Sequence, residues 1–277
     1  LLAALIEEGD RAFAGSIPQL YEQYMVPLIF EPYAMDLAHR VAALAPMAVL
    51  EIAAGTGVVT RELANRLPAE VSIVSTDLNQ AMLDHAASIG TSRVVSWQQA
   101  DAMKLPFSDN TFDTVLCQFG AMFFPDKAVA FAEARRVLRP GGTFLFNVWG
   151  RIEDNEFADC ITQAMARLFP LDPPRFMARL PHGYYDKAVI GSALIDGGFK
   201  GSMVFDTVAF QSRADSPRTV AVAYCQGTPL RNELEERNAS ILDEATDLAT
   251  IAITTRFGAG NVTGNIQAHV ISSKKEA

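Results

Sequence analysis

The chain of 277 residues is 49% hydrophobic and 20% charged, a balance that favours a folded globular protein over a disordered chain. Its formal net charge is −9 and its basic residues form no long block, which counts against nucleic acid as a partner because such binding needs clustered cations. No apolar run approaches the roughly 20 residues that span a bilayer, so we expect no membrane partner.

Short β-rich runs alternate with helical patterns from about residue 48 to residue 149. The predicted strands are 48–52, 71–76, 94–99, 112–119 and 143–149, and the predicted helices among them are 60–67, 79–87 and 126–138. The sequence Arg-Pro-Gly-Gly at 139–142 predicts a tight turn after the last of these helices. Strands that alternate with helices imply right-handed crossovers and a parallel sheet.

The regular alternation of predicted strands and helices ends after Trp149. Helical patterns cover 155–169, 186–199, 217–226 and 230–257, a proline-rich aromatic loop covers 170–185, and strands cover 201–210 and 264–273. Two late strands after a five-stranded parallel core predict a sheet of seven strands.

The cysteines and histidines give no sign of a metal site. Cys117, Cys160 and Cys225 are too widely spaced for a Cys-x-x-Cys pair or a disulfide framework, and the four histidines are scattered. We therefore expect no metal and a reducing, cytoplasmic environment.

The turn after the first strand, within VLEIAAGTGVVTREL (49–63), is the natural ligand site of such a sheet. A phosphate-binding P-loop is excluded because no Lys-Ser/Thr pair follows Gly57. A dinucleotide fingerprint fails at its third position, which holds Thr60, and Glu51 would add negative charge beside a pyrophosphate. A ligand with a positive end suits Glu51 better.

The same stretch resembles motif I of the class I S-adenosylmethionine-dependent methyltransferases. Three further segments resemble later motifs of that family in the same order, namely VSTDLNQAMLDHA (74–86, within the segment 71–87), QADAMKLPFSDNTFDTVLCQFGAMFFPD (99–126) and EARRVLRPGGTFLFNVW (133–149). The resemblance covers roughly 49–149 motif by motif. One departure is Ala53, which stands where the family usually has its first glycine.

The pattern and the resemblance together predict an α/β fold. It is a Rossmann-like, doubly wound, seven-stranded and mostly parallel sheet with an antiparallel last strand and a helical cap. We expect a single methyltransferase domain over residues 1–277. Within it we expect an N-terminal helical lid at 1–45, a cofactor-binding core at 46–150, and acceptor cap segments at 151–185 and 211–260.

The resemblance implies S-adenosyl-L-methionine as the cofactor and S-adenosyl-L-homocysteine as its product. It places Ala53 and Gly55 near the methionyl part, Glu51 opposite the ammonium group directly or through water, and Asp101 with Ala102 at the adenine. The implied cofactor-binding residues are Glu51, Ala53, Gly55, Gly57, Asp77, Leu78, Met82, Asp101, Ala102 and Gln118.

Several of these residues also have a structural interpretation. Asp77 ends a strand, where a carboxylate is costly unless it is paired, so it either accepts the two vicinal hydroxyls of a ribose or caps the next helix. Asp101 alternatively forms a turn and Glu51 a helix-dipole contact. Leu78 and Met82 would form an apolar wall near the adenine, although Met82 also fits a core position.

The acceptor side is less defined by the sequence. Gln118 leaves the fourth strand where donor and acceptor should meet, and Phe119 and Phe123 are candidates for lining an apolar acceptor pocket. Tyr24 and Tyr33 suggest a lid of the kind found in the resembled family, and a helix that packs on the sheet is the alternative. His182 is a weak candidate for a general base, and no other catalytic residue is identified.

We therefore expect transfer of a methyl group from S-adenosylmethionine to a small, partly apolar acceptor by in-line displacement. Such a reaction needs alignment of the reactants more than a nucleophile constellation, and the sequence shows no such constellation. The alternatives are a nicotinamide-dependent oxidoreductase, disfavoured by Thr60 and Glu51, and a non-catalytic nucleoside-binding domain.

Overall fold

The computed structural model describes Asp10 and residues 15–276. Its helices are α1 (Ile17–Leu20), α2 (Glu31–Ala43), α3 (Val58–Arg66), α4 (Gln80–Ile89), α5 (Lys127–Val137), α6 (Glu156–Leu168), α7 (Phe176–Arg179), α8 (Lys187–Asp196), α9 (Pro217–Gln226), α10 (Leu230–Arg237) and α11 (Leu242–Phe257). A π-helix, Tyr21–Phe30, joins α1 to α2, and 3-10 turns cover Ala121–Phe123 and Ile152–Asp154.

The seven strands are β1 (Ala48–Ile52), β2 (Ser72–Asp77), β3 (Ser96–Gln99), β4 (Phe112–Gln118), β5 (Leu138–Trp149), β6 (Met203–Ala214) and β7 (Val262–Lys274). They form one sheet in the order β3-β2-β1-β4-β5-β7-β6. β1 pairs in parallel with β2 on one side and with β4 on the other. The strand order therefore reverses between β1 and β4, the place where open α/β sheets bind ligands.

The last strand runs against the others. The amide of Gly141 donates to the carbonyl of Lys275 at 2.8 Å, and the amide of Gly150 donates to that of Gln267 at 2.9 Å. The residue numbers of the partners decrease as those in β5 increase, which defines an antiparallel pair. The predicted seven-stranded, mostly parallel sheet with an antiparallel last strand is thus confirmed.

Apolar side chains cover both faces of the parallel part of the sheet. Leu145 of β5 belongs to a buried cluster with Leu37 of α2 and Leu63 of α3. Its neighbours on β5, Phe144 and Phe146, point to the opposite face, because side chains alternate along a strand. There the ring of Phe131 from α5 lies 5.2 Å from that of Phe146. Helices on both faces make the sheet doubly wound.

The chain divides into two compact units. One contains the described residues of Leu1–Phe30, together with Trp149–Gly183 and Ala209–Ala268, and in it α11 packs against α6 and α9. The other contains Glu31–Val148, Tyr184–Val208 and His269–Ala277, and it holds β1 to β4 and most of β5. The proposed lid at 1–45 and acceptor cap at 151–185 and 211–260 stay predictions. Residues 1–9 and 11–14 of that lid lie outside the described residues.

The tight turn predicted at 139–142 is not present as such. Pro140 and Gly141 are part of β5, whose register with β4 is irregular between Phe112 and Thr114. Gly141 has a φ of +79°, and the chain's last strand pairs with it through Lys275. Pairing with the end of β7, which is distant in sequence, keeps residues 139–142 in strand β5 although their composition is typical of a turn.

Two later segments also differ from the prediction. The loop expected at 170–185 contains the short helix α7, and the helical stretch expected at 230–257 is interrupted between α10 and α11. Across Asp10 and residues 15–276, every helix is too short or too polar to cross a membrane.

Candidate functional site

The turn between β1 and α3 has an unusual backbone. Ala53, Gly55 and Gly57 have φ angles of +55°, +56° and +83°. This left-handed region is open to glycine but costs a residue with a Cβ about 1 kcal/mol or more. The turn therefore keeps one strained alanine at the position where the resembled family has a glycine.

The two glycines of this turn serve different purposes. A Cβ on Gly57 would lie 2.8 Å from the Trp97 ring and 3.2 Å from the Ala86 Cβ, so Gly57 allows close packing inside the protein. A Cβ on Gly55 would meet no atom within 4 Å. Gly55 thus faces open space, as backbone that approaches a ligand should.

Ala53 fits its place because of a glycine far away in the sequence. A Cβ on Gly120 would lie only 2.5 Å from the Cβ of Ala53 and 2.7 Å from the Sγ of Cys117. The methyl group of Ala53 therefore occupies the space that a side chain at 120 would need. Gly120 follows Phe119, which is itself left-handed with a φ of +50°.

Glu51 lies next to the end of β1 and is only 1% exposed. Its Oε2 accepts a hydrogen bond from the hydroxyl of Thr60 at 2.5 Å and another from that of Ser75 at 3.3 Å. The two hydroxyl oxygens lie 2.9 Å apart. Burial raises the pKa of Glu51 to about 7, although both hydrogen bonds oppose the rise.

Asp77 ends β2 and ties two parts of the site together. Its Oδ2 accepts from the amide of Gly55 at 2.8 Å, and its Oδ1 accepts from the amide of Asn79 at 2.8 Å. Burial raises the pKa of Asp77, while these amides oppose that rise. The carboxylate thus orients the glycine turn, and it holds the amide of Asn79, the N-cap residue of α4, rather than an amide within that helix.

The predicted adenine-side residues follow β2 and β3. The Oδ1 of Asp101 accepts from the amide of Met103 at 2.8 Å, which is the geometry of an aspartate turn. Asp101 and Ala102 are partly exposed. Leu78 is 42% exposed and Met82 only 3%, so Leu78 presents apolar surface and Met82 lies in the core.

The chain leaves β4 at Gln118 and Phe119, next to Tyr33 of α2. Gln118 and Phe119 are buried, and the amide of Phe119 donates to the Oδ1 of Asn147 at 2.9 Å. The ring of Tyr33 packs edge-on against Phe119 at 5.2 Å, and its hydroxyl donates to the carbonyl of Val208 at 3.1 Å. Phe123 lies in the following 3-10 turn and is partly exposed.

Tyr24 and His182 belong to the helical unit. Tyr24 lies in the π-helix and is partly exposed. His182 is 4% exposed, and its Nδ1 lies 3.0 Å from the carbonyl of Gly150. Because a carbonyl only accepts, Nδ1 carries the proton. Burial lowers the pKa of His182 to about 4 against the opposing effect of this hydrogen bond, so the ring is neutral near pH 7.

The structure brings Glu51, Ala53, Gly55, Gly57 and Asp77 together at the carboxyl ends of β1 and β2. Sequence reasoning missed the residues that hold them. Thr60 was noted only as a mismatch to a dinucleotide fingerprint, and Ser75 precedes Asp77 by two positions in β2, the spacing that puts both on one face. No local signal pairs Gly120 with Ala53. In the described part of the chain, no three His, Cys, Asp or Glu side chains are placed to hold a metal.

Comparisons with known proteins point to a single enzyme family. Residues 50–146 match the family model described as a methyltransferase domain. The ubiquinone/menaquinone biosynthesis C-methyltransferase UbiE of Idiomarina loihiensis is 44% identical over 103 residues, which are 36% of this chain and 41% of that protein. The protein of the same name from a Marinomonas species is 31% identical over 165 residues, or 55% of this chain and 66% of that protein.

The chain therefore spans about half the length of the curated relatives it matches. A solved structure of phosphoethanolamine N-methyltransferase 2 from Haemonchus contortus, with phosphomonomethylethanolamine and S-adenosylhomocysteine, aligns with a TM-score of 0.59 at 17% identity. The alignment covers 97% of this chain and 60% of that one, and at this identity it shows the fold alone. The family model and the relatives together identify this chain as a member of the class I S-adenosylmethionine-dependent methyltransferase family.

Proposed function

We propose that this protein transfers the methyl group of S-adenosylmethionine to a small, partly apolar acceptor. The observation that carries the proposal is the glycine turn, where open space at Gly55 is bordered by two buried carboxylates, Glu51 and Asp77. Neither carboxylate has an Arg, Lys or His partner within ion-pair distance among the described residues. Buried carboxylates without a paired cation are costly, and a ligand that brings an ammonium group and hydroxyls offsets that cost.

The residues present fit the methionyl and ribose parts of this cofactor. We assign the ammonium group to Glu51 and the methionyl chain to the backbone of Ala53 and Gly55. Asp77 accepts the ribose hydroxyls, one through the lone pair that Oδ2 keeps beyond the Gly55 amide and one through Oδ1 in place of the 3.4 Å bond from the Asn79 side chain. Its hydrogen bond from the Gly55 amide fixes the position of the glycine turn relative to the carboxylate assigned to the ribose.

The adenine and the reacting end are assigned from position. Asp101 and Ala102 follow β3 and face the exocyclic amine and a ring nitrogen, with Leu78 as exposed apolar surface beside them. Gln118 lies at the end of β4, where the donor and acceptor meet. Phe119 and Phe123 follow it and line the acceptor side.

The bound cofactor supplies a sulfonium-activated methyl group. The acceptor's electron pair would form the new bond to that carbon as the carbon–sulfur bond breaks, and sulfur would keep the electron pair as a neutral thioether. The protein therefore has to orient the two reactants and exclude water rather than supply a nucleophile. A base is needed only if the acceptor arrives protonated, and the lowered pKa of His182 makes its ring a weak base, so we assign no general base.

The acceptor is not carried over from the relatives. The alignment to the Idiomarina protein spans 103 residues, and the family model ends at residue 146. The segments at 151–185 and 211–260, where we expect the acceptor to bind, lie outside that model. We therefore assign only the class of a small, partly apolar molecule, from the aromatic and apolar composition of those segments.

Isothermal titration of the purified chain with S-adenosylmethionine, S-adenosylhomocysteine and NADH tests the proposal. We expect micromolar binding of the two S-adenosyl compounds, no binding of NADH, and loss of binding in Asp77→Ala. Asp113→Ala is the matched control, because Asp113 also accepts two backbone amides, from Met47 and Ala48, but at the amino end of the strands. Binding of NADH alone, or equal losses in both variants, would overturn the assignment.

A further inference from the structure

We propose that Thr60 and Ser75 are positioning residues for the cofactor site, and that they fix the direction and the charge of the Glu51 carboxylate. This inference rests on the proposed function, because Glu51 is assigned there to the cofactor's ammonium group. It adds two residues to the assigned site and a linked proton that the function alone does not require.

The geometry is a short chain of hydroxyls that ends on one carboxylate oxygen. The 2.9 Å contact between Ser75 and Thr60 is shorter than the 3.3 Å contact between Ser75 and Glu51. Ser75 therefore donates mainly to Thr60, and Thr60 donates to Oε2 of Glu51 at 2.5 Å. Donation along such a chain polarises each hydroxyl, so the bond to the carboxylate is strengthened.

All three side chains are buried from solvent. Thr60 and Ser75 are 0% exposed and Glu51 is 1% exposed. Without water to replace them, the hydroxyls are what stabilises a negative charge at this place. Both approach the same oxygen, Oε2, so the carboxylate is held in one orientation and Oε1 is the oxygen offered to the ligand.

Few charged groups compete with this arrangement. Arg61 of α3 stabilises the ionised form of Glu51 through space, and its guanidinium donates to the carbonyl of Thr56 at 2.7 Å. Asp77 of β2 opposes ionisation of Glu51. From β4, Cys117 is a neutral thiol, because burial raises its pKa to about 12.

A linked proton follows from this environment. With its pKa raised to about 7, Glu51 is partly protonated in the ligand-free protein near neutral pH. A cation at Oε1 favours the ionised form, so binding releases a proton and affinity falls as the pH drops below about 7, by up to tenfold per pH unit. Loss of the Thr60 hydroxyl removes a hydrogen bond that stabilises ionised Glu51. The pH below which affinity falls, the break in the pH profile, therefore moves up.

The test is the dissociation constant of S-adenosylhomocysteine between about pH 5.5 and pH 8, measured by titration calorimetry in two buffers of different ionisation enthalpy. We expect the wild-type break near pH 7 to move up by about one unit in Thr60→Val. Ser75→Ala should move it in the same direction by less. Glu51→Gln should abolish the break and the buffer-dependent proton release.

The matched control is Thr76→Val. Thr76 is also buried on β2, but its hydroxyl donates to the backbone carbonyl of Glu51 at 3.0 Å and not to the carboxylate. Thr76→Val should keep the wild-type pH profile, and thermal unfolding checks that every variant folds. A Thr60→Val profile identical to that of wild type or Thr76→Val would overturn this inference while the proposed function stands. Absence of S-adenosylhomocysteine binding to wild type at every pH would overturn both.

Discussion

The two ends of the parallel sheet treat their carboxylates in opposite ways. At the carboxyl end, Glu51 and Asp77 are buried, bind only hydroxyls and amides, and have raised pKa values. At the amino end, Asp113 accepts from the amides of Met47 and Ala48 at 2.8 Å and pairs with Arg139 at 2.7 Å. Burial there is outweighed by these partners, and the pKa of Asp113 is lowered.

This difference distinguishes the carboxylates that we assign to ligand binding from a carboxylate that stabilises the fold. Asp113 is paired with an arginine of its own chain, whereas Glu51 and Asp77 have no ion-pair partner among the described residues. A cleft of about 400 Å³ also opens at the amino end, lined by residues 44–47, 113, 114, 139–143 and 274. Because its carboxylate is already paired, we expect this cleft to take no part in cofactor binding.

The largest effect should come from Asp77→Asn. The NH2 group that replaces one carboxylate oxygen cannot accept from the backbone amide and the ribose hydroxyl assigned to that oxygen, so affinity for S-adenosylhomocysteine should fall by about 100-fold, or about 3 kcal/mol. Calorimetry measures it. Asp113→Asn should leave that affinity within about twofold and lower the thermal midpoint instead. A loss of affinity in Asp113→Asn as large as in Asp77→Asn would erase the contrast between the two ends.

A second effect concerns the fit of Ala53 against Gly120. Gly120→Ala would force two Cβ atoms to within 2.5 Å, and we expect it to destabilise the protein by about 2–3 kcal/mol in chemical denaturation. Adding Ala53→Gly should recover part of the loss, although the contact with Cys117 remains. Gly260→Ala, where a Cβ meets nothing within 4 Å, is the control and should change little. Additive losses in the double variant would mean that the two positions are not coupled.

The pH dependence of stability should differ in sign between the two ends. The pKa of Glu51 rises from 4.5 to about 7 on folding, so its favourable contribution is complete below about pH 4.5 and is lost as the pH rises to 7. Glu51→Gln should therefore be more stable than wild type near pH 8, by about 1–3 kcal/mol, and not near pH 4.

Asp113→Asn should show the reverse. The pKa of Asp113 is lowered on folding, so the wild-type advantage is present above the unfolded value of 3.8 and is lost as the pH falls below it. Urea denaturation at several pH values compares the two variants directly. Parallel pH profiles for both would contradict the account of the two ends.

The smallest effect concerns His182 in the helical unit. Its pKa is lowered to about 4 by burial, so the ring should remain neutral down to about pH 5 in an NMR titration. The stability it contributes is present above about pH 6.5 and is lost as the pH falls towards 4. A midpoint near 6.5 would show that the ring is solvated and would remove the basis for its low pKa.

Sequence reasoning reached the parallel core because its signals are local. β1 was predicted residue for residue, and the helix predicted at 126–138 is α5, which Asp126 caps through the amide of Val129. The segment at 139–142 has turn composition but lies in β5, because its partner Lys275 comes from the other end of the chain. Composition cannot show a strand pairing with residues so far away.

The site divides in the same way. Glu51, Gly55, Gly57 and Asp77 were predicted from the resemblance to the family's motifs. The hydroxyl chain through Thr60 was not, because it depends on the rotamers of three side chains from three elements. The match of Ala53 to Gly120 was also missed, since an alanine that seems only tolerated at the turn is explained by a glycine 67 positions later.

The most direct test of the central claim is a crystal structure of the protein with S-adenosylhomocysteine. We expect the ligand at the carboxyl ends of β1 and β2, with its ribose hydroxyls on Asp77 and its ammonium group next to Glu51. A ligand bound instead in the cleft beside Asp113 and Arg139, or one that leaves Asp77 without contact, would contradict the account.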